Sequence, residues 1–574
     1  MPPAPAHREP PADPPARGVL VGVDLRGIQA YVYSGRRILD AVGRAALVAE
    51  LTDTSDARHG VADLVPEDCL TLRDAGGALT VVLPDVDTAR TFTSRYTRRL
   101  RDRAGELTPV VAFVPYGPGT PEPDLDSALA ALPVRLRLAR RHMSALHAPA
   151  HGYGITAVCS VSGAPAESVD SSRSDHTRAH ERVSADVARA RGIGRRWHRA
   201  HGDAWLADAV TATGSPELAL PMEVDRLGRD HGGVSRVAVM HLDVNGLGAI
   251  LGEYRELVGD PDRPGSGALA QRGLSTRIAG LTKGLARAMV RAVTAMVHAA
   301  PGEAPHVPGT GTGGPITLDH EPGGPVRLPV RPIVVAGDDL TVLCDARLAL
   351  ALVRYALDWL DTDPELIQDA DDPRVALHRD LAAAYGTGGR RVPGGGHTTF
   401  VPTIGVGVAM QPVGAPLSLG YDLCEAMCRV AKAHRVARAE HDPVAAEDHT
   451  VAWTTRFDGV ERVLRRMEAA QEATPPRTAR PMSGADFTRF LDRYLGGGDG
   501  DGGPLVDGDT RGRGWLVSSL VPLLESGVDP APELARRARV TGSPVVLPRG
   551  WSTGELLDAV DVMDLYLEPE GGRL

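Results

Sequence analysis

Residues 332–344 read Pro-Ile-Val-Val-Ala-Gly-Asp-Asp-Leu-Thr-Val-Leu-Cys, two apolar runs separated by a glycine and two aspartates. Short apolar runs rich in β-branched residues, interrupted by Gly and Asp, predict two strands joined by a tight turn. A second mostly apolar run, residues 237–242, ends at Asp243. If its strand pairs with this hairpin, the carboxylates of Asp243, Asp338 and Asp339 converge on one edge of a sheet.

Three converging carboxylates need a neutralising partner. Two like charges about 4 Å apart repel by roughly 1 kcal/mol in water, and by about 4 kcal/mol at an effective dielectric constant near 20. Mg²⁺ or Mn²⁺ would neutralise them, because these ions prefer oxygen ligands and commonly act on phosphates. The acids therefore predict a metal site for nucleotide chemistry. Gly-Asp-Asp alone favours an ordinary hairpin turn, and Asp243 is the residue that shifts the interpretation to a metal site.

The composition limits the class of protein. A chain of 574 residues predicts roughly three or four domains. With 63 basic and 73 acidic residues, the net charge of −10 argues against a protein that coats nucleic acid by bulk electrostatics. The five cysteines form no Cys-x-x-Cys pair, which favours a reducing cytoplasm. No segment reads as a signal peptide or membrane helix, so we expect a cytoplasmic protein without a membrane partner.

The order of predicted elements repeats along the chain. Residues 18–116 and the stretch beginning at residue 236 each read as strand, helix, two-stranded hairpin, helix and strand. The predicted fold class is therefore α+β, with two ferredoxin-like (βαββαβ) palm domains forming an internal pseudo-dimer. The predicted divisions are a disordered tail (1–17), a degenerate first palm (18–116), a mainly helical inter-palm region (117–235), a second palm (236–442) and a C-terminal helical domain (443–574).

Four local motifs together resemble a known family. Residues 24–32 (Asp-Leu-Arg-Gly-Ile-Gln-Ala-Tyr-Val) and the segment 39–43 look like the first-palm signature of the large polymerase/cyclase subunit of type III CRISPR effector complexes. Residues 243–248 (Asp-Val-Asn-Gly-Leu-Gly) and 336–339 (Ala-Gly-Asp-Asp) resemble its second-palm signature, usually Asp-Val-Asp-Asn-Leu-Gly and Gly-Gly-Asp-Asp. The matches frame residues 18–437. The resemblance further indicates a variant that lacks the amino-terminal HD nuclease domain.

The resemblance implies an enzyme that binds ATP between two palms and makes cyclic oligoadenylate. It implies that Asp243 and Asp338 are metal ligands, with the Val244 carbonyl as an extra oxygen, and that Asp339 assists the metal or the attacking hydroxyl. The residues it places at the nucleotide are Gly337, Asn245, Gly246, Lys432 and Ser275. Asn245 stands where the family has an acid, which lowers the negative charge of the site.

Two of these residues also have ordinary interpretations. Lys432 is one of only two lysines, with Lys283, and on a helix it would otherwise be a solvated surface cation. Ser275 matches a family Ser-Arg pair, but Ser is also a favoured residue at the start of a helix.

The first palm is expected to be inactive. Aligning Gly76-Gly77 with Ala336-Gly337 places Ala78 and Leu79 opposite Asp338 and Asp339, so Asp24 is expected to be structural or to position a second nucleotide. The predicted function is a nucleotidyltransferase or cyclase that uses ATP or another NTP in antiviral defence, with guide-RNA effector subunits or an RNA or protein activator as partners. The alternative is a non-catalytic paired-palm scaffold or nucleotide-sensing subunit.

Overall fold

The fold is given by a computed structural model, which describes residues 14–35, 37–67, 69–144, 156–171, 180–206, 217–227, 236–300, 302–309, 314–320, 324–386, 402–496, 514–541 and 547–567. The strands are β1 (Gly18–Arg26), β2 (Thr71–Ala75), β3 (Ala78–Leu83), β4 (Thr108–Tyr116), β5 (Ser168–Asp170), β6 (Glu181–Val183), β7 (Leu218–Ala219), β8 (Arg236–Val244), β9 (His306–Val307), β10 (Ile316–Thr317), β11 (Val326–Arg327), β12 (Val330–Ala336), β13 (Asp339–Asp345), β14 (Ile404–Pro412), β15 (Thr450–Thr454) and β16 (Met482–Ser483).

The helices surround these strands. They are α1 (Ile28–Tyr33), α2 (Ile38–Glu50), α3 (Val86–Arg103), α4 (Leu125–Ser144), α5 (Ala185–Leu206), α6 (Leu247–Val258), α7 (Ser266–Ala295), α8 (Ala349–Asp361), α9 (Pro373–Tyr385), α10 (Leu417–Ala439), α11 (Val460–Glu472), α12 (Gly484–Tyr494), α13 (Val521–Glu525), α14 (Ala531–Thr541) and α15 (Thr553–Val562). The predicted α+β class is confirmed, because helices flank two mainly antiparallel sheets.

The two large sheets share one strand order. The first sheet runs β2-β3-β1-β4, and every neighbouring pair is antiparallel. The second sheet begins β12-β13-β8-β14, also antiparallel throughout these four strands. We call the part of the chain with β1 to β4 and α4 the first half, and the part with β8, β12 to β14 and α10 the second half. In each half the first of the four strands in sequence lies between the third and the fourth. The second strand, which forms the hairpin with the third, lies at the sheet edge. This order puts the last residues of β1 and β8 beside a hairpin tip.

Alternation along β8 sends its side chains into two different environments. Ala238, Met240 and Leu242 belong to a core with α7 and α8, whereas Val237 and Val239 belong to a core shared with the first half of the chain. Successive side chains of a strand point to opposite faces of the sheet. His241 and Asp243 therefore share the face of Val237 and Val239, which α10 covers.

The region between the halves is tied to the first half by buried charge. Arg191 of α5 is 1% exposed, and its Nε lies 2.6 Å from Asp40 Oδ1 on α2. Its Nη1 lies 2.8 Å from Asp170 Oδ2 on β5. Because a buried charge without its partner is strongly destabilising, these contacts fix α5 against α2.

The C-terminal region is not a separate helical domain, so the prediction for residues 443–574 is wrong in this respect. Strand β15 pairs in parallel with β14, and β16 pairs with β15, which extends the second sheet to six strands. Trp453 on β15 packs against Phe487 and Phe490 of α12, with ring centroids 5.8 and 5.5 Å apart. These rings belong to the same core as α7 and α8. Within the described residues, no helix has both the length and the apolar character needed to cross a membrane.

Candidate active site

The predicted acids meet at the end of the second sheet. Asp243 is the direct register partner of Asp339 on β13 and of Gly405 on β14. The hairpin closes with Ala336 opposite Asp339, which leaves Gly337 and Asp338 as the two turn residues. Gly337 has a φ of 62°, a left-handed conformation that glycine adopts at little cost and that this tight turn uses. Strand pairing thus brings Asp243 and Asp339 onto one face, with Asp338 at the adjacent tip.

Lys432 reaches the same place from α10. Its ammonium forms an ion pair with Asp243 Oδ2 and donates to the Val244 carbonyl oxygen over 3.2 Å. Its stem crosses Gly405, where an added Cβ would lie 2.6 Å from Lys432 Cγ. Glycine at position 405 therefore leaves room for the lysine to pass over β14. Lys432 is held at the acids and is not a freely solvated surface cation.

The electrostatics of the hairpin reflect its crowding. Burial, with the charges of Asp339 and Asp243, raises the pKa of Asp338 to about 6. Burial and the charge of Asp243 likewise raise the pKa of Asp339 to about 6, against the opposing positive charges of Lys432 and Arg73. The Asp339 side chain nevertheless remains 44% exposed, so an ion or a substrate can reach it. The site holds more negative charge than its own cations neutralise.

One residue of the first half adds positive charge near these acids. Arg73 lies on β2, beside the hairpin tip formed by Gly76 and Gly77. An added Cβ on Gly76 would lie 4.0 Å from the Ala336 carbonyl oxygen, so the two hairpins are neighbours in space. The acids therefore sit where the two halves of the chain meet.

His241 lies beneath the acids and was not predicted from the sequence. The ring is buried, with Nε2 4.0 Å from Asp339 Oδ1 and Nδ1 3.4 Å from Thr341 Oγ1. Burial lowers the pKa of His241, which favours the neutral imidazole. Position 241 is two residues before Asp243, and the period of a strand could have indicated that both side chains share a face.

Two stacked tyrosines connect His241 to the first half. Tyr421 of α10 lies edge-on to His241, with ring centroids 5.8 Å apart. Tyr33 of α1 stacks on Tyr421 at 4.2 Å with an interplanar angle of 14°. All three side chains are buried. A continuous set of contacts therefore runs from α1 of the first half to Asp339 of the second.

The other residues predicted to contact the nucleotide are Asn245, Gly246 and Ser275. Asn245 is buried; its Nδ2 donates to Thr403 Oγ1 at 3.0 Å, while its Oδ1 has no hydrogen-bond partner among the residues that the structure describes. Gly246, with a φ of 66°, directly precedes α6. Ser275 does not begin a helix, because α7 already begins at Ser266 and Ser275 lies half-buried in its third turn. Among the described hydrogen bonds and ion pairs, none joins Ser275 to the acids.

The first half has a counterpart for Asp243 but not for Asp339. Asp24 lies opposite Ala78, and its carboxylate pairs with Arg140 of α4. The register corrects the sequence alignment by one residue: Gly77 stands at the position of Asp338, and Ala78 at that of Asp339. The conclusion that the first hairpin carries no tip carboxylate is unchanged.

The basic partners also occupy equivalent positions. Arg140 is the sixteenth residue of α4, and Lys432 is the sixteenth residue of α10; both helices follow the fourth strand of their half. The preceding residues repeat as well, with Arg137-Leu138-Ala139 corresponding to Arg429-Val430-Ala431. Each half therefore pairs the acid at the end of its first strand with a base from the helix that follows its fourth strand.

The donor set suits a hard divalent cation. Asp243, Asp338, Asp339 and the Val244 carbonyl supply oxygen atoms, the ligands that Mg²⁺ and Mn²⁺ prefer. Burial and neighbouring negative charge raise the pKa of Asp338 and Asp339, so added positive charge would stabilise their ionised forms.

Comparison with known proteins gives matches among solved structures alone. No protein-family model and no curated protein matches the sequence. A Csm1-Csm4 cassette in complex with AMPPNP is 13% identical, with a TM-score of 0.45, and the match covers 96% of this chain and 70% of that one. The cassette in complex with cA3 is 13% identical with a TM-score of 0.46, and Csm1 in T. onnurineus is 14% identical with a TM-score of 0.46. Both matches cover 96% of this chain and 70% of the other. These structural neighbours are Csm1 subunits of type III CRISPR-Csm systems, the class that the sequence motifs resemble.

Proposed function

We propose that the chain is a metal-dependent nucleotidyltransferase or cyclase that joins ATP or another NTP into a cyclic nucleotide or oligonucleotide. The observation that carries the proposal is the facing pair Asp243 and Asp339, with Asp338 at the adjacent tip and Lys432 bound to the same edge. Acids that repel one another in a partly exposed site are costly to a structure and useful to phosphate chemistry.

We further propose that the two sheets are the two palms of an internal pseudo-dimer and that the substrate lies between them. The shared strand order, the neighbouring hairpin tips and the equivalent Asp–base pairs support this arrangement. Only the second half has acids at its hairpin tip, so the chemistry belongs to that half. The first half would contribute Arg73 and the walls of the binding site.

Each side chain has a distinct role under this proposal. Asp243, Asp338 and Asp339 would hold Mg²⁺ or Mn²⁺, which when bound would lower the negative charge on the triphosphate and the departing pyrophosphate. Lys432 would exchange its contact with Asp243 for a phosphate oxygen, which keeps the site neutralised as substrate enters. Gly337 would allow the triphosphate to approach the hairpin backbone closely. Asn245, Gly246 and Ser275 stay predicted nucleotide contacts, and Ser275 has the least support.

The test is direct. Purified protein is incubated with each NTP in turn and Mn²⁺, and the products are resolved by mass spectrometry. We expect pyrophosphate and a cyclic product from at least one NTP. The double variant Asp338→Ala/Asp339→Ala should lose about 10²–10³ in rate, the typical effect of removing a transition-state stabiliser. Asp369→Ala/Asp371→Ala removes the same charge from an exposed loop and is the matched control.

One feature favours the alternative of a nucleotide-sensing scaffold. Lys432 already neutralises Asp243, and Asn245 replaces an acid, so the site carries less charge than the family motif implies. A sensor would bind nucleotide without turnover, alone or with guide-RNA effector subunits or an RNA or protein activator. AMPPNP and cA3, ligands of the structural neighbours, are suitable probes. Saturable binding of a probe, with no pyrophosphate under any activating condition, would favour the sensor.

A further inference from the structure

A second type of donor lies at the base of the candidate active site. His241, Asp243 and Cys428 each offer one ligand atom, and these three atoms lie within 4.8 Å of one another. His241 and Cys428 are buried, whereas the Asp243 side chain is 26% exposed and opens the group to solvent. The three atoms are a nitrogen, an oxygen and a sulfur.

The fold explains why these side chains meet. His241 and Asp243 are two residues apart on β8 and so share the face that α10 covers. Cys428 lies on α10 one helical turn before Lys432, and both side chains lie against Gly405 of β14, the register partner of Asp243. The Cys428 thiol donates to the Gly405 carbonyl oxygen over 3.3 Å, which places the sulfur at the inner side of Asp243.

The histidine has the support that metal ligands usually have. One ring nitrogen, Nδ1, lies 3.4 Å from Thr341 Oγ1, which fixes the ring and leaves Nε2 for a ligand. The Thr341 contact orients His241 independently of the acids at the hairpin tip.

Sulfur and imidazole nitrogen are poor ligands for Mg²⁺ and good ligands for Zn²⁺ and Co²⁺. We propose that His241, Asp243 and Cys428 form a binding site for a borderline-soft transition-metal ion such as Zn²⁺, which competes with the hard-cation site because both use Asp243. Within the proposed function, on which this consequence rests, Zn²⁺ would inhibit by withdrawing Asp243 from the nucleotide-bound cation. The inhibition would be reversed by chelation.

Binding of the metal ion at this site needs no oxidant or reductant. The Cys428 S–H bond breaks, its proton leaves to solvent, and the thiolate binds the ion. The Lys432 ammonium releases Asp243 and turns to water. In the metal-free protein this proton is the one that the Cys428 thiol donates to the Gly405 carbonyl oxygen.

Co²⁺ provides a probe that needs no activity. Metal-free protein is titrated with Co²⁺, and the sulfur-to-cobalt charge-transfer absorption is recorded for wild type, Cys428→Ser and Cys424→Ser. Cys424 is the matched control: it is buried one turn earlier on α10, and its thiol donates to the Tyr421 carbonyl. We expect the band in wild type and Cys424→Ser, its loss in Cys428→Ser, and its displacement by Zn²⁺.

The outcomes separate this inference from the proposed function. Absence of the band from wild type, or its persistence in Cys428→Ser, overturns the metal site whatever the activity. If Cys428→Ser fails to fold, His241→Asn provides the second variant and should weaken Co²⁺ binding at least about tenfold. A normal band with no turnover supports the metal site and contradicts the proposed function alone. With an active enzyme, Zn²⁺ should inhibit wild type and Cys424→Ser at least about tenfold more strongly than Cys428→Ser.

Discussion

Asp339 lies directly across the strand pair from Asp243, whereas the residue across from Asp24 in the other half is Ala78. The two halves share strand order, a base from the helix that follows the fourth strand, and a glycine at the hairpin tip. They differ in the side chains that could hold a divalent ion. This difference locates the proposed chemistry in the second half.

Replacing Lys432 by Gln should strengthen Mn²⁺ binding and lower kcat/KM for NTP. The variant releases Asp243, so it should bind Mn²⁺ more tightly without nucleotide. It also loses the cation proposed to hold phosphate, so kcat/KM for NTP should fall about ten- to a hundredfold, as expected for a charged hydrogen bond of about 1.5–3 kcal/mol. Mn²⁺ titration by electron paramagnetic resonance and steady-state pyrophosphate release measure the two effects.

Lys283→Gln is the matched control for that experiment, because Lys283 is the other lysine and is exposed on α7. It should change neither property. Equal Mn²⁺ affinity in wild type and Lys432→Gln would mean that the contact between Lys432 and Asp243 does not compete with the metal.

Shortening Tyr33 should affect the site from the opposite half of the chain. Tyr33→Ala removes the ring that stacks on Tyr421, which in turn contacts His241 beneath Asp339. We expect a loss of stability of about 3–5 kcal/mol, the usual cost of truncating a buried aromatic residue, and a lower kcat where the variant is still folded. Thermal unfolding and single-turnover rates are the measurements.

Tyr33→Phe keeps the stacked ring and should retain kcat. A folded Tyr33→Ala variant with wild-type kcat would show that the stack supports the fold without positioning Asp339.

The hairpin acids should reduce stability at neutral pH in the metal-free protein. The folded pKa values of Asp338 and Asp339, about 6, exceed the ordinary value of 3.8. The penalty is therefore absent below about pH 4, grows as pH rises toward 6, and is fully present above it. Asp339→Asn should raise the Tm at pH 7.5 by about 1–3 °C, a small effect because the half-exposed carboxylate is screened by solvent. At pH 4 the gain should vanish.

Asp24→Asn serves as the comparison, because it removes an acid that is paired with Arg140. It should not raise the Tm at either pH. A higher Tm for Asp24→Asn, or a fall in Tm for Asp339→Asn at pH 7.5, would contradict the account of unbalanced charge at the hairpin.

The sequence predicts that Asp243 and Asp339 lie side by side, because Asp243 follows one apolar run and Asp339 directly precedes another. Asp243 and the hairpin are local patterns, and strand pairing follows from the repeated element order. The first hairpin was misaligned by one residue because Gly76 and Gly77 both fit a turn, and only the pairing of Ala75 with Ala78 fixes the register.

Residues brought in by long-range packing were harder to predict. Tyr33, Tyr421 and Cys428 come together only through the docking of α1 and α10 on the second sheet, and no spacing within the sequence records that docking. Ser275 is not a helix start, because α7 begins nine residues earlier, at Ser266. The short strands β15 and β16 were missed because few residues separate them from helices.

The most direct test of the central claim is the rate of pyrophosphate release, with ATP or whichever NTP is turned over and Mn²⁺, in Asp243→Asn and Asp24→Asn. Both variants remove one carboxylate from the end of a first strand and leave a base without its acid. The asymmetric account predicts that Asp243→Asn loses about 10²–10³ in rate, whereas Asp24→Asn keeps measurable chemistry and changes mainly stability or nucleotide affinity. Equal loss of rate and of Mn²⁺ binding in both folded variants would show that each half builds a metal site, and would contradict the account.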